Sequence, residues 1–141
     1  MSRIFFDTSL FIYLIEDEGK RGAAVKRLLH RMSERRDELL TSAMTLGEVL
    51  VKPLSSGDTA WADNYERLLT TPGVSVLPFD KTTARRYALL RQDKSIKPPD
   101  AIQLACAAGA GCDLFITNDE RLSRCVVPGI QFIASLDKSF L

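Results

Sequence analysis

The 141-residue chain is poor in the residues that most often carry catalysis or staple a small fold. Its one histidine, His30, excludes any mechanism that needs two imidazoles. Its three cysteines, Cys106, Cys112 and Cys125, are an odd number without metal-type spacing. They read as buried or idle thiols of a reducing compartment, not as a disulfide framework. No uncharged run reaches the ~18 residues of a membrane helix. The apolar run from Leu10 to Ile15 follows Asp7 and has no small-residue cleavage site after it, which argues against a signal peptide. A soluble, cytoplasmic protein without membrane contact is expected. Charge of one sign is also lacking: 19 Lys and Arg stand against 18 Asp and Glu, for a formal charge of +1. Bulk electrostatics therefore gives no strong non-specific grip on nucleic acid.

What is present is ordinary for a globular protein, with 45% hydrophobic and 26% charged residues. Neither a repeat nor a linker divides the sequence, so residues 1–141 read as one domain. Short apolar runs alternate with amphipathic stretches. The run from Arg3 to Phe6 is the first strand candidate, and a helical stretch follows it to about Ile15. Val25, Leu28, Leu29 and Met32 have helical spacing, with Arg27, Arg31 and Arg35 on the other face of that helix. This charged face, with His30 beside it, reads as solvated. A second strand covers Leu39 to Ala43; Thr45 then opens a helix that Pro53 ends. Thr59 to Leu69 is helical, with Trp61, Tyr65, Leu68 and Leu69 on one core-facing side. Val74 to Phe79 is a third strand, and Asp80 caps the helix from about Thr83 to Arg91. Pro98-Pro99-Asp100 starts a nearly all-apolar helix that must be buried on most sides. Leu114 to Thr117 and Gln131 to Ala134 complete the strands. The alternation predicts a three-layer α/β/α sandwich around a central parallel sheet of four to five strands.

Such a sheet sends the end of every strand, and the start of every following helix, to one edge, where ligands bind. The acids fall there. Asp7 follows the first strand, Glu48 lies in the helix after the second, Asp100 starts the buried helix, and Asp119 follows the fourth strand. Each has a second reading. Asp is a favoured helix cap, and Thr45-x-x-Glu48 matches a capping box. Asp80 would end ~10 Å away if the third strand lies two places from the first, so it reads as a cap. Carboxylates gathered at one rim repel unless a cation sits among them. Oxygen ligands without nearby His or Cys select Mg²⁺ or Mn²⁺. Such an ion activates water and neutralises phosphoryl charge.

The residues also resemble a family. Ile4-Phe5-Phe6-Asp7-Thr8-Ser9-Leu10-Phe11-Ile12-Tyr13 is similar to the opening of PIN-domain nucleases, in particular the VapC-like toxins of toxin–antitoxin pairs. Thr45-Leu46-Gly47-Glu48, Pro99-Asp100-Ala101-Ile102-Gln103-Leu104-Ala105 and Leu114-Phe115-Ile116-Thr117-Asn118-Asp119 resemble the later motifs, in order. The resemblance implies a Rossmann-like sandwich and a Mg²⁺- or Mn²⁺-dependent endoribonuclease. It also implies a homodimer and a partner antitoxin that blocks activity. Asp7, Asp100 and Asp119 would hold metal directly, and Glu48 directly or through water. Thr117 would orient a carboxylate or water, and Thr8 or Ser9 would fix the acids or contact phosphate. For the RNA backbone, Lys94 and Lys97 are the phosphate-contact candidates among the cations that precede Asp100. Two other functions are set beside this one: aspartyl-phosphate chemistry at Asp7, and a non-catalytic binding module on the same fold.

Overall fold

The computed structural model describes residues 1–138. Five strands alternate with helices in the order β1 Arg3–Phe6, α1 Thr8–Glu16, α2 Lys20–Arg35, β2 Glu38–Ser42, α3 Ala43–Ser56, α4 Thr59–Leu69, β3 Val74–Leu77, α5 Lys81–Leu90, α6 Pro98–Gly109, β4 Leu114–Thr117, α7 Glu120–Ser123 and β5 Phe132–Ser135. A 3₁₀ turn, Leu136–Lys138, follows. The strands form one sheet of order β3-β2-β1-β4-β5, and every pairing is parallel. Among the described residues, no helix is long and apolar enough to cross a membrane.

β1 lies at the centre and is covered on both faces. Successive strand side chains point to opposite faces, and the core divides accordingly. Ile4, Phe6, Leu39, Leu114 and Ile116 meet Leu10, Phe11, Val25, Leu28, Met32, Val49, Tyr65 and Leu69 of α1–α4. Phe5, Leu40 and Phe115 meet the other layer, built from α6 with Leu122 of α7 and partly buried side chains of α5. The Phe5 and Phe115 rings stack across the β1–β4 pair, with centroids 5.0 Å apart and planes 7° from parallel. Residues 101 and 103–108 of α6 are all buried, as its apolar sequence requires.

Several local expectations change. α3 begins at Ala43, earlier than Thr45, because Ser42 at the end of β2 is its cap and accepts from the Thr45 N–H at 3.4 Å. The helix also runs through Pro53 to Ser56. Pro53 forgoes the bond to the Val49 carbonyl without ending the helix, which closes one turn later at Gly57, at φ +70°. β3 stops at Leu77 instead of Phe79, since Pro78 cannot donate to a ladder. β5 lies one residue later than expected, and the short helix α7 was not foreseen.

Candidate active site

The strand order places a topological switch point beside β1. The chain leaves β1 for β2 on one side, while β4 joins on the other. In open parallel sheets the crevice at such a point, outside the carboxyl ends of the strands, is the binding position. Here it is a cleft of about 400 Å³, lined by Asp7, Thr8, Ser9, Ile12, Glu48, Pro99, Asp100, Gln103, Thr117, Asn118 and Asp119. The four acids singled out in the sequence therefore share one cavity.

Asp7 sits at its base. The backbone N–H of Asp7 extends the sheet by donating to the Ile116 carbonyl at 3.0 Å. Its Oδ1 accepts from the Thr8 N–H at 2.8 Å and from Gln103 Nε2 at 3.3 Å. Its Oδ2 accepts from the Thr117 hydroxyl at 2.8 Å. Asp7 is thus the N-cap of α1 as well as a cleft residue. Burial is the largest influence on it and raises its pKa above the ordinary 3.8; the nearby Asp119 charge adds to that, against the three hydrogen bonds.

Asp119 also joins both readings. It caps α7, with Oδ1 accepting from the Arg121 N–H at 2.9 Å and from the Leu122 N–H at 3.4 Å. Its Oδ2 faces the Arg121 guanidinium at 3.3 Å. Burial raises its pKa, but the Arg121 side chain and the α7 N–H groups outweigh that and hold it below the ordinary value. Asp100 is different. The cap position of α6 belongs to Lys97, and Asp100 lies inside the first turn, where the helix dipole favours an anion. Its pKa is raised by burial first and then by the charges of Asp7, Asp119 and Glu48.

The capping-box reading of Thr45 and Glu48 is overturned. Thr45 is buried inside α3 and binds side chains of the cleft floor. Glu48 instead accepts the Thr8 hydroxyl through Oε1 at 2.6 Å, which turns its carboxylate toward the cleft. Asp80 does act as a cap, accepting from the Thr83 N–H at 2.9 Å, and β3 lies two strands from β1.

Gln103 is the site residue that reading the sequence missed. It is 2% exposed, and its amide satisfies four groups. The two Nε2 protons go to the Thr45 hydroxyl at 2.7 Å and the Thr8 hydroxyl at 3.0 Å, one of them shared with Asp7 Oδ1 at 3.3 Å. Its Oε1 accepts from the Ser42 hydroxyl. The available signal was a lone amide in a nearly all-apolar helix, because a buried amide needs partners. Gln103 joins Asp7 directly, and Glu48 through Thr8, to one framework.

Ser9 lines the cleft, but its buried Oγ has no partner among the described residues. Lys94 and Lys97 are exposed and do not line the cleft. All three cysteines are free; burial pushes the Cys106 and Cys112 thiols up to about 11 and about 12, where they are inert. The cleft offers only oxygen and amide groups, with no imidazole or thiol, a donor set that fits a hard divalent cation. Among the described residues, no three His, Cys, Asp or Glu side chains form a preassembled metal-ligand group. Three of the carboxylates line the cleft while accepting hydrogen bonds: Asp7 from Thr117, Glu48 from Thr8, and Asp119 from the N–H groups of α7.

A family model of the PIN domain matches residues 4–127. No curated protein matches the sequence. Among solved structures, the toxin–antitoxin complex from Klebsiella pneumoniae is 25% identical, with TM-score 0.66 over 90% of this chain and 94% of that one. VapBC2 from Rickettsia felis, bound to a promoter DNA fragment, is 14% identical, with TM-score 0.75 over 94% of this chain and 98% of that one. VapC20 of Mycobacterium tuberculosis, described as a Sarcin-Ricin loop cleaving toxin, is 21% identical, with TM-score 0.71 over 89% of this chain and 97% of that one. The sheet order, the cleft at its switch point and the family match over most of the sequence agree: this chain belongs to the PIN domain family.

Proposed function

We propose that residues 1–141 act as a single PIN-like domain that hydrolyses RNA phosphodiester bonds internally, with Mg²⁺ or Mn²⁺ held by Asp7, Asp100 and Asp119, and by Glu48 directly or through water. The observation that carries this reading is the meeting of these four carboxylates in one cleft at the switch point of the sheet. When bound, the ion supplies activated water and neutralises charge on the phosphoryl oxygens. The residues of the chain do the rest. Thr117 and Gln103 engage both oxygens of Asp7 and fix the direction of its lone pairs. Thr8 holds Glu48 across the cleft. Water attacks phosphorus in line as the ester oxygen leaves. A water proton passes to solvent or a rim carboxylate, and the leaving oxygen is protonated in turn. Asp7, with both oxygens engaged, is a fixed ligand and not a free phosphoryl acceptor.

The solved neighbours are toxin–antitoxin complexes or a toxin of that class. This supports a toxin with a cognate antitoxin protein as its partner; block of its activity by that partner, and action as a homodimer, complete the proposal. The test is cleavage of total cellular RNA by purified protein, with Mg²⁺, with EDTA, and with Asp7→Asn. Cleavage is expected only for the native protein with metal. Activity retained by Asp7→Asn, with contaminating nuclease excluded, would overturn the assignment. A protein that binds no divalent ion by calorimetry yet forms a stable partner complex would be a binding module instead.

A further inference from the structure

We infer that the outer face of α2, running from Lys20 past Arg27 and bordering the cleft edge of the sheet, is a docking surface for the RNA backbone. The inference takes its substrate class from the ribonuclease reading above. The sixteen residues of α2 include six cations, Lys20, Arg21, Lys26, Arg27, Arg31 and Arg35, against one acid, Glu34. In a chain of net charge +1, the rest of the molecule is therefore net negative, and positive charge is concentrated on this helix. Gly22, Val25, Leu28 and Met32 are buried and seat the helix, which leaves its cations outward.

Acids border the helix, with Glu16, Asp17 and Glu18 just before it and Asp137 beside Arg27 and Arg31. The Glu34 carboxylate lies 2.7 Å from His30 Nε2, and Asp37 takes Arg35 at 2.9 Å. Arg21 lies over the Tyr13 ring, 5.1 Å from its centroid. Lys20, Lys26 and Arg27 are exposed and have no ion-pair partner among the described residues. At 1.5 Å rise per residue, Lys20 to Arg27 spans about 10 Å of rigid helix.

The position relative to the cleft selects the occupant. Arg27 and Arg31 line a polar cavity of about 300 Å³ with Ala24, Leu28, Leu136 and Asp137. Leu136 and Asp137 directly follow Ser135, whose register partner on β4 is Thr117 of the cleft. The cavity thus borders the same sheet edge as Asp119, and the end of β5 lies about 10 Å from that of β1 at the usual strand spacing. A rim of carboxylates repels a polyanion, so a substrate strand needs attraction beside it. Cations on the helix that borders the same sheet edge supply it to phosphates flanking the scissile one. An acidic peptide would meet the same charge, but contiguity with the cleft edge favours the substrate.

The test uses a fluorescent hairpin RNA and the Asp7→Asn protein, so that the probe survives. Lys20→Glu, Lys26→Glu and Arg27→Glu are made singly and combined, and Lys81→Glu, exposed on α5, gives the loss per reversed charge away from this helix. The triple variant is expected to lose at least about tenfold in affinity, with a salt dependence shallower by about one per lost contact. In the active background, KM rises with kcat unchanged. Melting curves and circular dichroism report whether each variant is folded. Unchanged RNA affinity overturns the inference, as does a loss in Lys81→Glu equal to that of each single α2 reversal. Weakened binding of polyglutamate with RNA binding intact overturns it too and gives the surface to an acidic protein. Native protein that binds RNA through α2 but never cuts it removes the nuclease reading alone. Native protein that cuts, with the triple variant cutting equally well at low RNA concentration, removes this inference alone.

Discussion

The Thr117 hydroxyl donates to Asp7 Oδ2 at 2.8 Å and so joins two residues 110 positions apart in the chain. The same oxygen accepts from the Asp119 N–H at 3.0 Å. One buried hydroxyl therefore sets the spacing of two acids that follow neighbouring strands. Thr117→Val keeps the shape and removes this link. Cleavage is expected to fall about a hundredfold, the scale of a misplaced catalytic group. Thr117→Ser is expected to retain most of the rate. Single-turnover cleavage under saturating Mg²⁺ makes the comparison.

Asp7 carries opposed demands. Burial, and then the Asp119 charge, hold its pKa above the ordinary 3.8, so ionising it costs more in the folded chain than in the unfolded one. That penalty is present above the folded pKa and is relieved as pH falls through it. Asp7→Asn is therefore expected to be the more stable protein in EDTA at neutral pH. Its advantage should shrink toward acid pH. Asp119, held below its ordinary value, titrates with the opposite sign. For that reason the informative quantity is the difference between variant and native protein at each pH. Paired thermal melts give it, and an Asn variant less stable than the native protein at neutral pH would contradict the argument.

Ser42 and Glu48 separate capping from function on α3. Ser42 caps the helix and donates to Gln103, whereas Glu48 makes its hydrogen bond to Thr8 on α1. Ser42→Ala is expected to cost at least about 1 kcal/mol of stability. Glu48→Ala is expected to change stability by less than about 0.5 kcal/mol, as for an ordinary exposed position, while weakening cleavage strongly. Denaturant titration and activity on the same preparations separate the two.

Gly22 of α2 packs against the backbone at the end of α1. An added Cβ would lie 1.8 Å from the Asp17 carbonyl oxygen and 2.8 Å from that of Tyr13. Both obstacles are backbone, so the helices must move apart. Gly22→Ala is expected to destabilise the fold by about 3 kcal/mol, despite alanine's better helix propensity. Gly47→Ala, on α3 with nothing within 4 Å of the added atom, is the control that should not. Chemical denaturation measures both.

Much of the fold was legible because its signals are local. The bounds of β1, β4 and α4 follow from short runs whose apolar spacing leaves one solution. α3 shows the limit. Thr45 and Glu48 fit a capping box by spacing alone, yet Ser42, still paired in β2, supplies the cap. No local rule distinguishes two hydroxyl-bearing candidates three residues apart when the strand register decides which one faces the helix. Gln103 stood in the quoted motif without being given a role. Its partners, Ser42, Thr45, Thr8 and Asp7, are all more than fifty residues away along the chain. α7 was missed because a four-residue helix has too short a pattern to register.

The amino-acid order alone determined the alternation of strands and helices, and with it a parallel sheet whose strand ends share one edge. That follows from periodicity and from the geometry of crossover connections, which need only neighbouring residues. It also determined which acids fall at that edge. Tertiary structure alone decided what those acids do there. It placed β4 beside β1, bringing Thr117 within hydrogen-bond reach of Asp7, and it drove Gln103 into a buried position where only polar partners from three other elements could satisfy it. Contacts of that kind depend on strand order and on burial, which no stretch of the chain encodes by itself.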